Sequence, residues 1–164
     1  MKDASTFFGR ISQGVQILLL PVLALLLASC GPQASRYEVT LKLEQYCKTQ
    51  GAEHLCDAQR PATQATDLFV EPDDDTVLII FMGQHYLSGH STPLYAQRRS
   101  RDEDASTGCA RERSQTLSLE QGFWEIHGRF VEEILASGPG DSCGDLPAAE
   151  RWTWSLAGPE KDGP

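Results

Sequence analysis

The sequence is short of positive charge: 14 Lys and Arg stand against 23 Asp and Glu, for a formal charge of −9 over 164 residues. A surface that holds nucleic acid needs clustered bases, so nucleic acid is excluded as a partner. Direct docking on anionic lipid is disfavoured for the same reason. The main basic clump, Arg98, Arg99 and Arg101, adjoins Asp102, Glu103 and Asp104 and reads as a mixed-charge loop. The chain also lacks any C-x-x-C, which removes a thioredoxin-like dithiol and a zinc knuckle of the usual spacing. It lacks H-E-x-x-H, and the run from Asp73 misses the EF-hand glycine position, where Leu78 stands. There is no internal repeat and no long linker.

The apolar residues are concentrated at the amino end. Lys2 and Arg10 precede a run from Ile17 to Ala28, "ILLLPVLALLLA". Its 12 residues would make about 18 Å of helix, short of a hydrocarbon core of about 30 Å. That length suits a signal peptide. The run closes on Leu27-Ala28-Ser29-Cys30, which resembles the bacterial lipobox: a branched apolar residue, two small residues and the cysteine that receives the lipid. The resemblance implies cleavage before Cys30 and a diacylglyceryl group on its thiol, that is, a palmitate-type lipoprotein held at a membrane. Gly31 follows, where an aspartate would favour retention in the inner membrane. The implied location is the cell envelope: the outer membrane, facing the periplasm or the surface, if the organism has one.

The organisation expected is a leader over 1–29, a lipidated tether over 30–35, one domain over 36–157 and a flexible tail over 158–164. Removing 29 of 164 residues leaves 135, with 12 Lys and Arg against 22 Asp and Glu, a charge of −10. A domain this small gains from covalent help. Cys47, Cys56, Cys109 and Cys143 remain, an even number in an exported chain, and imply two disulfides. Of three possible pairings, Cys47–Cys56 with Cys109–Cys143 is the simplest, because each closes a local turn-rich segment.

Tyr37, Val39, Leu41 and Leu43 alternate with polar residues and predict a half-buried strand. Trp152, Trp154 and Leu156 repeat the pattern. Val77 to Met82, "VLIIFM", reads as a central strand, Leu68 to Val70 and Leu117 to Leu119 as short ones. Residues 48–66 and 96–115 read as polar loops. The segment 122–135 fits two periods. As a strand, Trp124, Ile126 and Phe130 share a face; as a helix, Phe123, Ile126, Phe130 and Ile134 form a stripe, with Ser118 and Gln121 as a capping box. The fold class expected is mainly β, a small antiparallel meander or barrel, with α+β as the alternative if 122–135 is helical.

Functional residues are sparse, and no catalytic set and no cofactor are expected. Asp73 and Asp75 flank a turn whose carboxylates are weak calcium candidates. His85 and His90 are weak metal candidates on one loop. Ser91 half-matches a nucleophile elbow, but Pro93 stands where the second glycine belongs. Trp124, Trp152 and Trp154 form a possible binding surface. These readings favour a non-enzymatic envelope lipoprotein that binds or supports another envelope component, with its small-molecule ligand, if any, undefined. One alternative is an acidic protein that inhibits or captures a cationic envelope protein such as a cell-wall hydrolase. The overall make-up, small, acidic and disulfide-bearing, is similar to periplasmic lysozyme inhibitors as a class, without their local motifs. A small metal-dependent hydrolase is the other alternative, and it requires His85 or His90 to meet a second ligand in a pocket.

Overall fold

A computed structural model describes residues 34–57 and 62–161. The leader, Cys30 and residues 162–164 lie outside the described residues. Among the described residues nine antiparallel strands follow one another: β1 (Ser35–Gln50), β2 (Glu53–Asp57), β3 (Thr63–Pro72), β4 (Val77–Phe81), β5 (Gln84–Ser88), β6 (Leu94–Asp104), β7 (Cys109–Gln121), β8 (Glu125–Ser137) and β9 (Ala149–Pro159). They hydrogen-bond in the order β5-β4-β3-β1-β9-β8-β7-β6, with β2 added to the end of β1. The sheet curls into a nearly closed barrel, and no helix occurs among the described residues.

The inner face follows from the two-residue period of each strand. Tyr37, Val39 and Leu41 of β1 meet Leu68 and Val70 of β3, and Val77, Ile79 and Phe81 of β4. Leu117, Leu119, Ile126, Phe130 and Leu156 supply the far wall. Phe81 and Phe130 meet edge to face with centroids 5.3 Å apart. These side chains fill the interior.

Two glycines let the sheet bend tightly enough to curl. A Cβ on Gly128 would fall 2.1 Å from the Ser118 carbonyl oxygen, and one on Gly158 would fall 2.0 Å from that of Glu38. Only a residue without a Cβ permits such approach. Where the ends of the sheet meet, β5 and β6 share no main-chain ladder. The Tyr95 amide donates to Ser88 Oγ at 2.9 Å, and the Arg98 guanidinium donates to Gln84.

Three expectations need correction. The segment 96–115 is not a loop but most of the β6–β7 hairpin, paired without interruption from Leu94↔Leu119 to Asp104↔Cys109. The described residues of 48–66 are largely extended as well, in the end of β1, in β2 and at the start of β3. The boundary at 157 is also too early. Strand β9 runs through Pro159, Glu160 bridges to Tyr37, and the Lys161 amide donates to the Arg36 carbonyl at 2.7 Å. The open choice over 122–135 resolves to a strand, β8, with Ile126, Phe130 and Ile134 facing inward.

Because the strands run up and down, the turns sort to two ends. The start of β1, the turns at 73–76, 89–93 and 122–124, and the end of β9 mark a proximal end. The turns at 51–52, 82–83 and 105–108 and the loop 138–148 mark a distal end.

Candidate functional site

The long strands β6, β7, β8, β9 and β1 overreach the short β4–β5 hairpin at the distal end. Their inner-face positions continue past the apolar core, and there the residue type changes. Above Leu117 on β7 come Gln115 and Arg113; above Phe130 on β8 comes Glu132; above Ala96 on β6 come Arg98, Ser100 and Asp102. The result is an open mouth, a cavity of about 530 Å³ with Phe130 and Tyr86 at its base and Arg98, Arg113, Glu132 and Asp102 around it.

The polar groups of this mouth are joined. The Tyr86 hydroxyl donates to Gln115 Oε1 at 3.0 Å, and Gln115 Nε2 donates to Glu132 Oε1 at 2.8 Å. The Arg113 Nε lies 3.5 Å from the same carboxylate oxygen. Burial pushes the Tyr86 phenol up to about 12; Arg98 opposes this and Glu132 adds to it. The phenol is therefore a fixed hydrogen-bond donor at neutral pH and not a base. Next to this network, Tyr46 and Trp152 pack with ring centroids 5.1 Å apart, and the Tyr46 hydroxyl donates to Glu150 Oε1 at 2.8 Å. The mouth thus combines aromatic faces with paired opposite charges, the chemistry that holds a polar partner by several directed bonds.

A second distal cavity, of about 690 Å³, lies between the β6–β7 tip and the loop 138–148. Asp102, Glu103, Asp104 and Asp141 line it, with Arg111. Asp104 is held below the usual carboxylate range, chiefly because the Ser106 side chain and amide donate to it. The Cys109–Cys143 bond, S–S 2.06 Å, forms part of the wall. The other bond joins Cys47 to Cys56 at 2.09 Å, directly opposite one another on β1 and β2. Both pairings are the local ones expected.

The other expected sites do not assemble. His85 stands on β5 opposite Ile80 near the distal turn, whereas His90 sits in the proximal 89–93 turn with Nε2 2.7 Å from the Asp73 carbonyl oxygen. The two histidines therefore sit at opposite ends of the barrel and share no metal geometry with one another. The Asp73 carboxylate accepts the Asp74 amide at 2.9 Å and shapes its own turn. Among the described residues, the one group of three potential metal-ligand atoms within 4.8 Å is Cys47, His54 and Cys56. The disulfide occupies both of those sulfurs.

The three tryptophans do not form one surface. Trp154 packs against the core, Trp152 stands opposite Glu132 in the β8–β9 ladder and packs on Tyr46, and Trp124 lies in the proximal 122–124 turn. The mouth itself was missed in the sequence. Its signal is Leu94, Ala96, Arg98, Ser100 and Asp102: an alternation that keeps its period while its inner residues turn from apolar to polar.

The chain matches no known protein family and no curated protein sequence.

Proposed function

We propose that this chain is a non-enzymatic envelope lipoprotein, acylated on Cys30, whose barrel binds a polar partner through its distal mouth. The observation that carries this reading is the division of the inner face. Its proximal half is filled by side chains such as Ile79, Leu119 and Ile126, all fully buried. Its distal part is an open, hydrogen-bonded polar cup. A filled interior speaks against carriage of a ligand deep inside the barrel, and the cup is the open polar continuation of that face. In a cell with two membranes, Gly31 after the acylated cysteine favours the outer one.

On this reading the two ends have different tasks. Strand β1 begins at Ser35, at the proximal end. A tether from Cys30 therefore attaches the barrel on the side opposite the cup. Anchoring confines the protein to a thin layer and raises its effective concentration for neighbours. A photoreactive residue at Ser100, inside the cup, is expected to crosslink a partner in intact cells. The same residue at Glu120, on the outer wall, is expected to give none of that product. Equal crosslinking from both positions, or none from Ser100, would refute recognition by the cup.

A second reading is favoured by the acidic distal cavity. Four carboxylates, Asp102, Glu103, Asp104 and Asp141, gather with one base, Arg111, among the residues that line it. Such a patch suits a cationic protein, as an inhibitor or capture protein requires. Binding would then weaken steeply as salt rises, since the Debye length falls to about 3 Å at 1 M. Affinity that is indifferent to salt would remove this reading and leave the first.

A further inference from the structure

The proximal end carries an exposed aromatic pair. Phe123 is 82% exposed and Trp124 47% exposed in the β7–β8 turn, with ring centroids 4.5 Å apart and planes at 85°. The turn is firmly held. The Gly122 amide donates to the Glu125 carbonyl at 2.8 Å, and the Glu160 amide donates to the Trp124 carbonyl at 2.9 Å. Glu160 in turn bridges to Tyr37 near the start of β1. The aromatic tip therefore stands two strands from the point where the chain enters the barrel.

Covalent geometry limits where that tip can go. Four residues lie between Cys30 and Ser35, and the five steps from one to the other span at most about 3.6 Å each in a fully extended chain, or about 18 Å. Acyl chains on Cys30 would hold the proximal end at the headgroup layer. Tryptophan and phenylalanine gain by entering that layer, where their apolar faces leave water and the indole N–H stays wet. A protein partner fits less well. Two aromatic side chains bury about 400 Å², against the roughly 800 Å² per partner of a stable interface.

Charge selects the kind of bilayer. The acidic turn with Asp73, Asp74 and Asp75 lies at the same end, between β3 and β4. Strands β1 and β9 separate it from the aromatic turn. A domain leaning on its aromatic side lifts these carboxylates away from the surface, and a zwitterionic surface does not repel the rest. We propose that Phe123 and Trp124 form a membrane-contact tip that seats the barrel on a zwitterionic bilayer and turns the distal cup away from it. This rests on the reading of Cys30 as the lipid-bearing residue.

The test uses the processed full protein, extracted from membranes and reconstituted in vesicles of phosphatidylethanolamine and phosphatidylcholine. Intact mass first establishes whether the amino-terminal cysteine is acylated. Lipids brominated near the glycerol end of their acyl chains then quench tryptophan emission at that depth. The expected result is a quenched component that Trp124→Leu abolishes and Phe123→Ala, which keeps the probe, moves to a shallower depth. Replacing part of the phosphatidylcholine by phosphatidylglycerol is expected to weaken it. An acylated protein whose emission is unquenched, or whose quenching survives Trp124→Leu, overturns the tip while leaving the anchor standing. Quenching that grows with phosphatidylglycerol also overturns it, because charge and not the aromatic pair would then drive contact. A mass without acyl chains overturns the anchor, and the tether argument for the tip with it.

Discussion

Tyr86 on β5 donates its phenolic proton to Gln115 on β7 at 3.0 Å, reaching past β6 across the one seam of the barrel that has no main-chain ladder. This bond, with the Tyr95 amide on Ser88 Oγ, ties together edges that the backbone leaves unpaired. Tyr86→Phe keeps the ring and removes the donor, leaving the Gln115 carbonyl short of a partner. The expected cost is about 1–2 kcal/mol, read as a lower thermal midpoint. Tyr86 also sets an alkaline limit. Its folded value is raised from 10.0 to about 12, so the phenol favours the folded state below pH 10 and that contribution is lost as pH rises towards about 12. Stability measured across this window is expected to fall more steeply for the native protein than for Tyr86→Phe; parallel curves would contradict the assignment.

The close approaches at Gly128 and Gly158 make both positions intolerant of a methyl group. At Gly158 the three nearest atoms to a Cβ all belong to the Glu38–Val39 backbone, the closest at 2.0 Å, so relief requires β1 to move. At Gly128 the Ser118 carbonyl at 2.1 Å and the Leu119 side chain at 3.0 Å leave the same choice. Gly128→Ala and Gly158→Ala are each expected to destabilise by about 1–3 kcal/mol or more in denaturant unfolding. Gly89→Ala serves as the control, since nothing lies within 4 Å of its Cβ position; its effect is expected within about 0.5 kcal/mol. Similar losses at all three would mean that the close backbone contacts do not set the cost, since Gly89 lies in a turn with nothing near its Cβ position.

The two disulfides differ in the length of chain that they close. Cys47 and Cys56 are 9 residues apart, Cys109 and Cys143 34 apart. On a chain-entropy basis the shorter loop contributes about 2.6 kcal/mol and the longer about 3.8 kcal/mol. The Cys109→Ser, Cys143→Ser pair is therefore expected to lose more stability than the Cys47→Ser, Cys56→Ser pair. It also releases the loop 138–148 from the β6–β7 tip, so proteolysis is expected first in that loop. The reverse order of stabilities would show that native contacts around Cys47 outweigh loop length.

The apolar half of the barrel was legible because burial and period agree there. Tyr37, Val39 and Leu41 alternate with exposed Glu38, Thr40 and Lys42, and Val77, Ile79 and Phe81 alternate with half-buried Leu78 and Ile80 within a run that looks continuously apolar. The β6–β7 hairpin was not legible, and for the reason that makes it interesting. Above Ala96 the inner positions are Arg98, Ser100 and Asp102, and the outer ones are Arg99, Arg101 and Glu103, so both faces are polar and hydrophobic alternation vanishes. Residues 122–135 fit two periods because Phe123 is apolar yet exposed, and its presence completes a helical stripe by coincidence. The local disulfides needed only the turn residues around them. The cup needed the register of four strands, which no single segment carries.

The β4–β5 turn offers a stabilising change beside the cup. Phe81 pairs with Gln84, so Met82 and Gly83 alone make the turn, with φ of 50° and 70°. Two successive positive φ values describe the type I′ hairpin, whose twist matches that of the strands and whose preferred sequence is Asn-Gly. Glycine meets that demand at Gly83, but Met82 carries a side chain into a region that disfavours it by about 1–2 kcal/mol. Its side chain is 42% exposed, so little burial is lost on replacement. Met82→Asn is expected to stabilise the barrel by about 0.5–1 kcal/mol, seen as a higher denaturant midpoint at unchanged slope. Met82 is at the rim of the cup, but the substitution leaves the bonded Tyr86, Gln115 and Glu132 in place, so crosslinking from Ser100 should persist. A drop in midpoint would show that Met82 caps the core edge, and that its contacts outweigh the backbone preference of the turn.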